Sequence, residues 1–472
     1  MKNELMIHNL FKESIDDFLK NDPHLNGLRN QKYVFHPSLE REMLLDAPGI
    51  YILTGGRQVG KSTLMKLLIM NLLLKKRAAP RQVSYVACDL FERYQELVLV
   101  MQQVFEEMDR EKYFYLFLDE ITYVREWDRA IKHFADLGYF KHGCLLITGS
   151  DSIILKESMK KFPGRRGKAD TSDFHYYPLS FSDYVFLIAP QQKEEINKIK
   201  KSIGSPQAIA EKSRDSLEKY TTKINLKVIS QYFEHYLLTG GFLSAINGFA
   251  SKKRIDKFIY RTYQEWVIGD VLKRNKREVF LKDIITALTD RLAKQVSTHS
   301  IASQTEIQHH ATIQEYLEIL QDMDVLFIQS ALREDKLRPA PKKAKKIHFS
   351  DPFIAQALVA WAMKVDDPWV FAEKNVVHES TLKGNIIEGC ISALLRRNYP
   401  TYYIKAEGEV DIAIISGRTF LPIEIKWSES LKKADLKQIL KYKKGIIGYK
   451  GLRIGKYEHI SVLPIPLLAL LI

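Results

Sequence analysis

The residues with the clearest chemical capacity are a lysine and a serine that directly follow a glycine-bracketed loop. Gly55, Gly56, Arg57, Gln58, Val59, Gly60, Lys61, Ser62 and Thr63 contain the pattern G-x-x-x-x-G-K-S. Glycines let a backbone curl until successive N–H groups face a polyphosphate, and the positive end of a following helix adds to the attraction. Lys61 is then placed to reach the β- and γ-phosphates, and the Ser62 hydroxyl to ligate Mg²⁺. A second group is Asp119-Glu120. One carboxylate of such a pair holds the Mg²⁺ water shell, and its neighbour orients and deprotonates an attacking water. Thr148-Gly149-Ser150 offers hydroxyls that could sense a γ-phosphate. Far downstream, Asp411, Glu424 and Lys426 form a fourth group: two carboxylates suit Mg²⁺, and a lysine beside the metal can activate water against a phosphodiester.

These residues need particular elements to hold them. An apolar run at 50–53 reads as a strand, and Leu64, Leu67, Leu68 and Leu72 follow the loop at helical spacing. That strand–loop–helix order is the context a phosphate loop requires. Further strand-like runs at 83–87, 114–118 and 144–148 alternate with helical stretches, as in a parallel sheet with crossover helices. Asp119-Glu120 then stands at the carboxyl end of the third strand. In the C-terminal group, strand alternation sets Asp411 on the face opposite Val410 and Ile412. It puts Glu424 and Lys426 on one face, away from Leu421, Ile423 and Ile425. Neighbouring strands would join the three. Glu388 lies on a helix with Ile387, Ile391, Leu394 and Leu395 and offers one more carboxylate. Gln438 and Tyr442 stand one helical turn apart within a lysine-rich segment. The competing reading of Glu424 and Lys426 is a solvent-facing ion pair on a half-buried sheet.

At 472 residues the chain exceeds one ordinary core, and its 46% hydrophobic and 27% charged content describes a folded, soluble protein. The net charge of +14 permits contact with nucleic acid. Cys88, Cys144 and Cys390 are too scattered for a zinc cluster or a disulfide framework, which points to a reducing cytoplasm. The apolar run 460–472 contains Pro464 and Pro466 and reads as a final buried strand rather than a membrane span. Residues 189–226 are rich in Lys and Glu and read as a helical insertion or a mobile loop.

From 283 to 350 the pattern is three helices, a strand, a loop and a strand, with Ile313, Tyr316, Leu317 and Leu320 on one face of the third helix. This reads as a winged helix. The loop carries Arg333, Lys336, Arg338, Lys342, Lys343, Lys345 and Lys346, a basic wing able to neutralise DNA phosphates. Glu315, Glu318, Asp322 and Asp324 on and beside the third helix would repel DNA, so structural packing or backbone contact is favoured over base readout.

The stretch 50–187 resembles the AAA-type ATPase domain of a large family of prokaryotic ATPases that end in a restriction-nuclease-like domain. The matching pieces are Gly-Arg-Gln-Val-Gly-Lys-Ser, Leu-Asp-Glu-Ile with Trp127 downstream, Ile-Thr-Gly-Ser, Gly164-Arg165 and Pro178-Leu-Ser-Phe. The resemblance implies ATP and Mg²⁺ as ligands, Glu120 as the catalytic carboxylate, and Arg165, with Arg166 beside it, as a trans-acting finger in a homo-oligomer. A solvated basic loop is the alternative for both arginines. Gly240-Gly241-Phe242 and Asp270 resemble the family's helical lid, although Leu243 stands where members usually carry proline. Glu388, Asp411, Glu424-x-Lys426 and Gln438-x-x-x-Tyr442 resemble the PD-(D/E)xK nucleases over about 384–450, without the proline that usually precedes the aspartate.

The expected architecture is therefore α/β: a lead-in (1–48), a P-loop NTPase core with an AAA-type parallel sheet (49–188), a helical insertion and lid (189–278), a winged helix (279–352) and a restriction-endonuclease-like domain (353–472). The expected function is ATP hydrolysis controlling a Mg²⁺-dependent nuclease-like domain that acts on DNA without sequence preference. The alternative is a nucleotide-dependent switch or adaptor that binds DNA or protein without cutting it.

Overall fold

A computed structural model describes residues 8–109, 111–149, 155, 157, 166–167, 169, 171–307, 309–378 and 381–472. The chain divides into two compact units, Met1–Tyr177 and Pro178–Ile472.

The first unit is built on five parallel strands: β1 (Gly49–Thr54), β2 (Val83–Ala87), β3 (Phe114–Asp119), β4 (Gly143–Thr148) and β5 (Asp173–His175), in the order β2-β3-β4-β1-β5. β1 and β4 are buried along their whole length, as expected of parallel strands covered on both faces. The lead-in is helical, with α1 (Ile15–Asn21) and α2 (Pro23–Arg29) before β1. After β1 comes α3 (Lys61–Leu74), after β2 α4 (Tyr94–Glu107), and after β3 α5 (Trp127–Asp136). Leu97, Met101 and Phe105 of α4 and Trp127, Ile131 and Phe134 of α5 join Ile52, Leu116 and Ile147 in one core. Register aligns the carboxyl ends: Leu53 pairs with Thr148, Leu118 with Ile147, and Ala87 with Asp119. The phosphate-type loop, Asp119 and Thr148 thus share one edge of the sheet.

The second unit opens with α6 (Phe181–Ile188), started by a capping box between Ser180 and Asp183. By compact units the division falls after Tyr177, ahead of this helix. The Lys/Glu-rich stretch is helical: α7 (Lys193–Ile203), α8 (Pro206–Glu211) and α9 (Arg214–Thr221). Then follow α10 (Leu226–Thr239), α11 (Leu243–Lys252) and α12 (Lys257–Lys273). Gly240 and Gly241 are required by crowding. A Cβ on Gly240 would lie 1.9 Å from Asp351 Oδ1, and one on Gly241 2.3 Å from the Leu179 carbonyl. Asp351 accepts the Gly241 N–H at 2.8 Å, so Leu243 in place of proline leaves the turn intact.

Next come α13 (Glu278–Thr289), β6 (Gln295–Val296), α14 (Thr298–Ala302), α15 (His310–Asp322), β7 (Leu326–Gln329), β8 (Leu332–Arg333), β9 (Arg338–Pro339) and β10 (Lys345–Phe349). β10 is the centre of a three-stranded antiparallel sheet, β6-β10-β7. The acidic groups of α15 are engaged: Glu315 with Lys276, and Asp322 with Arg274 at 3.5 Å.

After α16 (Pro352–Ala362), α17 (Pro368–Val377) and α18 (Thr381–Arg396) lies a six-stranded mixed sheet. Its strands are β11 (Thr401–Lys405), β12 (Glu409–Ser416), β13 (Thr419–Lys426), β14 (Ile446–Tyr449), β15 (Gly455–Tyr457) and β16 (Ile460–Pro464). The sequence stretch expected as a terminal strand is a strand followed by a buried helix, α19 (Ile465–Leu471), because Pro464 and Pro466 interrupt strand pairing and open a helix. The lysine-rich segment around Gln438 is no regular helix. It holds one short turn, Lys433–Leu436, and a 3-10 turn, Ile439–Lys441.

Candidate functional site

The loop between β1 and α3 has the backbone that polyphosphate binding demands. Gly55 has φ +148° and Gly60 +102°, and a Cβ on Gly55 would stand 2.4 Å from the Tyr176 carbonyl oxygen. Gln58, exposed at the loop tip, takes a left-handed φ of 61°. Val59 and Lys61 are buried, while Arg57, Ser62 and Thr63 are partly buried. Lys61 Nζ donates to the Gly55 and Gly56 carbonyls, each at 2.9 Å. Its ammonium is therefore folded over the loop. Arg57 donates to the Tyr123 hydroxyl at 3.0 Å.

Asp119 is buried and held from both sides. Tyr85 on β2 donates its hydroxyl to Oδ2 at 2.6 Å, and Thr148 on β4 donates to Oδ1. Burial, reinforced by the Asp119 charge, raises the Tyr85 pKa well above the usual phenol value and keeps it a donor. Thr148 Oγ1 also accepts the Glu120 N–H at 3.0 Å. Glu120, partly buried, sits in a left-handed conformation with φ 52°. Of the two hydroxyls that Thr148-Gly149-Ser150 offers for sensing a γ-phosphate, that of Thr148 is engaged in aiming the acidic pair. Behind Tyr85, the Lys66 ammonium lies 3.6 Å from its ring centroid and 3.1 Å from Asp22, with both charged side chains fully buried.

Ser150, Gly164 and Arg165 fall outside the described residues. Arg166 is described: its guanidinium forms a two-point ion pair with Asp173 at 2.8 and 2.5 Å, and its carbonyl accepts the Ile50 N–H. Ile50 lies at the start of β1, just after Gly49, whereas the phosphate-type loop follows the strand's end. Arg166 therefore stands away from its own loop and is anchored by a carboxylate.

The C-terminal cluster assembles in part as alternation predicts. Ile412 pairs with Ile423 across β12 and β13, which brings Asp411 beside Glu424. The Ile425 N–H donates to Asp411 at 2.9 Å, the Asp411 N–H to Glu424 at 3.3 Å, and Lys426 Nζ lies 2.5 Å from Glu424. Gln438 accepts the Gly408 N–H at 3.1 Å and donates to the Tyr442 hydroxyl at 3.4 Å.

The sequence misplaced Lys346. Read as a wing lysine facing DNA, it is buried, with its side chain 1% exposed. Its Nζ lies 2.8 Å from Glu388, 2.6 Å from Glu409 and 3.3 Å from Asp411. The physical reason is its place on β10, the middle strand, whose inward side chains meet α18 and β12. Burial alone would lower its pKa, but Asp411, Glu388 and Glu409 outweigh it and hold the ammonium above the ordinary lysine value. Burial, then the Asp411 charge, raises Glu388 well above the carboxylate range and Glu424 up to about 8. Burial would also raise Asp411, yet Lys346 and Lys426 bring it below its usual value. Nothing in the motif spacing signalled Lys346; its only cue was one lysine too many at a strand start. Among the described residues no group of three or more His, Cys, Asp or Glu is arranged to hold a metal ion; the carboxylates that converge here do so on the Lys346 ammonium, and with it in place the set does not fit one.

With this geometry in hand, the known relatives can be placed. Residues 47–185 match the family described as "AAA domain". The chain carries a P-loop ATPase domain. Residues 230–365 and 383–468 match two families described as domains of unknown function, DUF8612 and DUF4143. A curated relative, uncharacterized protein MJ1637 of Methanocaldococcus jannaschii, is 22% identical over 95% of this chain and 84% of its own length. Uncharacterized protein MJ1544 of the same organism is 25% identical over 68% of this chain and 63% of its own. Among solved structures, the Walker-type ATPase PABY2304 of Pyrococcus abyssi aligns at TM-score 0.42 and 16% identity, over 68% of this chain and 94% of that one. The Aeropyrum pernix ORC1 protein aligns at TM-score 0.30 and 10% identity, over 77% and 93%. In the ATPase domain the residues present fit a nucleotide with Mg²⁺: the loop N–H groups and Lys61 for the phosphates, Ser62 and the doubly gripped Asp119 for the cation. No helix among the described residues is long and apolar enough to cross a membrane.

Proposed function

We propose that this protein hydrolyses ATP and uses turnover to control sequence-independent contact with DNA. The observation that carries the ATP half is the sheet edge shared by the loop that holds Lys61 and an Asp119–Glu120 pair fixed by Tyr85 and Thr148. Lys61 neutralises the β- and γ-phosphates, and Glu120 accepts the proton of the water that attacks the γ-phosphorus. The bond to the bridging oxygen breaks, leaving ADP and phosphate. Bound Mg²⁺ supplies charge neutralisation of the phosphate oxygens. The test is steady-state phosphate release beside nucleotide binding. Lys61→Ala should lose tight binding, whereas Glu120→Gln should keep binding and lose turnover. Unchanged turnover in Glu120→Gln would place the base elsewhere.

For the second unit, the winged-helix reading of 279–352 and the restriction-nuclease-like reading of 353–472 are part of this proposal. The paired acidic groups of α15 support a structural third helix over a base-reading one, and exposed Lys342 and Lys343 leave the wing as a phosphate contact. The buried Lys346 favours the non-cleaving version, in which the nuclease-like domain is a scaffold. Linear, circular and branched DNA incubated with the protein, ATP and Mg²⁺ or Mn²⁺ should be bound and remain uncut. Nicking that disappears in Asp411→Ala, Glu424→Ala and Lys426→Ala would restore the nuclease reading.

A further inference from the structure

The geometry points to Lys346 as a resident cation: its ammonium takes the position that a divalent ion would occupy among Glu388, Glu409 and Asp411, and it excludes that ion. This deepens the scaffold reading of the nuclease-like domain and is independent of the ATPase reading.

Three features carry it. First, donors match acceptors. An ammonium has three N–H groups; Lys346 donates to Glu388 at 2.8 Å and to Asp411 at 3.3 Å and forms an ion pair with Glu409 at 2.6 Å, so three carboxylates from three different positions surround it. Second, Lys346 cannot leave readily. It sits on the central strand of β6-β10-β7, and β10 pairs with β7 through Lys346–Gln329 and Ile347–Ile328. The strands are joined to the larger sheet nearby. Gln329 donates to the Tyr402 carbonyl at 2.8 Å and the Asp411 carbonyl at 3.3 Å, and its other end meets His348 at 2.9 Å. Tyr403 donates its N–H to the Ser330 carbonyl at 3.1 Å, and Gln295 donates to Glu409. Third, the carboxylates already have cations beside them. Lys346 and Lys426 already face Glu388, Glu409, Asp411 and Glu424, so a divalent ion would stand against two ammonium groups inside a buried site.

The site is therefore metal-free by construction, and one substitution should convert it. Removing the ammonium leaves Glu388, Glu409 and Asp411 converging on a space that Mn²⁺, a cation suited to carboxylates, can fill. The experiment titrates Mn²⁺ into the full-length, nucleotide-free protein, followed by electron paramagnetic resonance and calorimetry. Wild type and Asp411→Asn should give the same titration, because wild type has no Mn²⁺ site that depends on Asp411. Lys346→Met should gain a saturable site that disappears in Lys346→Met/Asp411→Asn, and Mn²⁺ should raise the thermal midpoint of Lys346→Met but not of wild type. An Asp411-dependent site in the wild type overturns the inference, and that comparison stands even when Lys346→Met does not fold. A folded Lys346→Met without the new site also overturns it. ATP hydrolysis is read separately by phosphate release, so a failed ATPase reading leaves this result standing.

Discussion

Tyr85 and Thr148 reach Asp119 from the strands on either side of it, so the carboxylate cannot turn without losing one of them. A hydrogen bond to a charged group is worth roughly 1.5–3 kcal/mol. Tyr85→Phe keeps the ring beside Lys66 and removes only this bond. It should lower kcat roughly tenfold with little change in nucleotide affinity, measured by phosphate release and equilibrium binding. An unchanged kcat would mean Thr148 alone aims the acid. A second residue-scale effect concerns pH. Glu424 binds a proton in the folded chain up to about 8, but releases it near 4.5 when unfolded. Its contribution to stability is full below 4.5 and is lost as pH rises towards 8. His348 runs the other way: burial lowers it to about 3, so its contribution grows up to the ordinary histidine value of 6.5. Between pH 6.5 and 8 the Glu424 loss stands, on the order of 1–2 kcal/mol. Thermal melts should therefore show falling stability across that window, and Glu424→Gln should flatten the slope.

Among the elements, the α1–α2 junction is tied to α3 by one buried pair. Asp22 caps α2 through the His24 and Leu25 N–H groups and also meets Lys66, which donates to the His8 carbonyl at 2.9 Å. Burial lowers the Lys66 pKa and outweighs the support from Asp22, so an unpaired Lys66 would be costly. Asp22→Ala should destabilise the chain by about 3–5 kcal/mol in denaturant unfolding, and Asp22→Ala/Lys66→Met should recover part of that. Equal losses in the single and double variants would show that the cap, not the pair, carries the effect. Gly241 shows the same dependence on neighbours: the Leu179 carbonyl leaves no room for a side chain, and Asp351 accepts its N–H.

For the molecule as a whole, DNA affinity should fall steeply with salt, and removing one phosphate-binding charge should lower the log–log slope by about one unit. Neutralising Lys342 and Lys343 should do this; Lys346, being buried, reaches no phosphate. A slope untouched by the Lys342/Lys343 change would move the DNA surface elsewhere. The family resemblance offers Arg165 as a trans-acting finger, with Arg166, paired to Asp173, beside it. Mixing Lys61→Ala with Arg165→Ala subunits should partly restore ATP turnover, and absence of rescue would leave Arg165 as a solvated loop residue. The phosphate-type loop, the acidic pair and the strand faces of Asp411, Glu424 and Lys426 were legible in the sequence. Each depends on local rules: glycine φ freedom, strand alternation, and a carboxylate at a strand's end. The helical insertion was half legible, because charge masks its buried Ile196, Ile199 and Ile203. The partners of Asp119 and the occupant of the C-terminal cluster were not. Tyr85 lies 34 residues from Asp119, and Lys346 lies 42 from Glu388 and 65 from Asp411. No periodicity spans such gaps. Strand order in the first sheet brought Tyr85 to Asp119, while packing of β10 against α18 and the six-stranded sheet brought Lys346 to Glu388 and Asp411, and burial then made their charges answer one another.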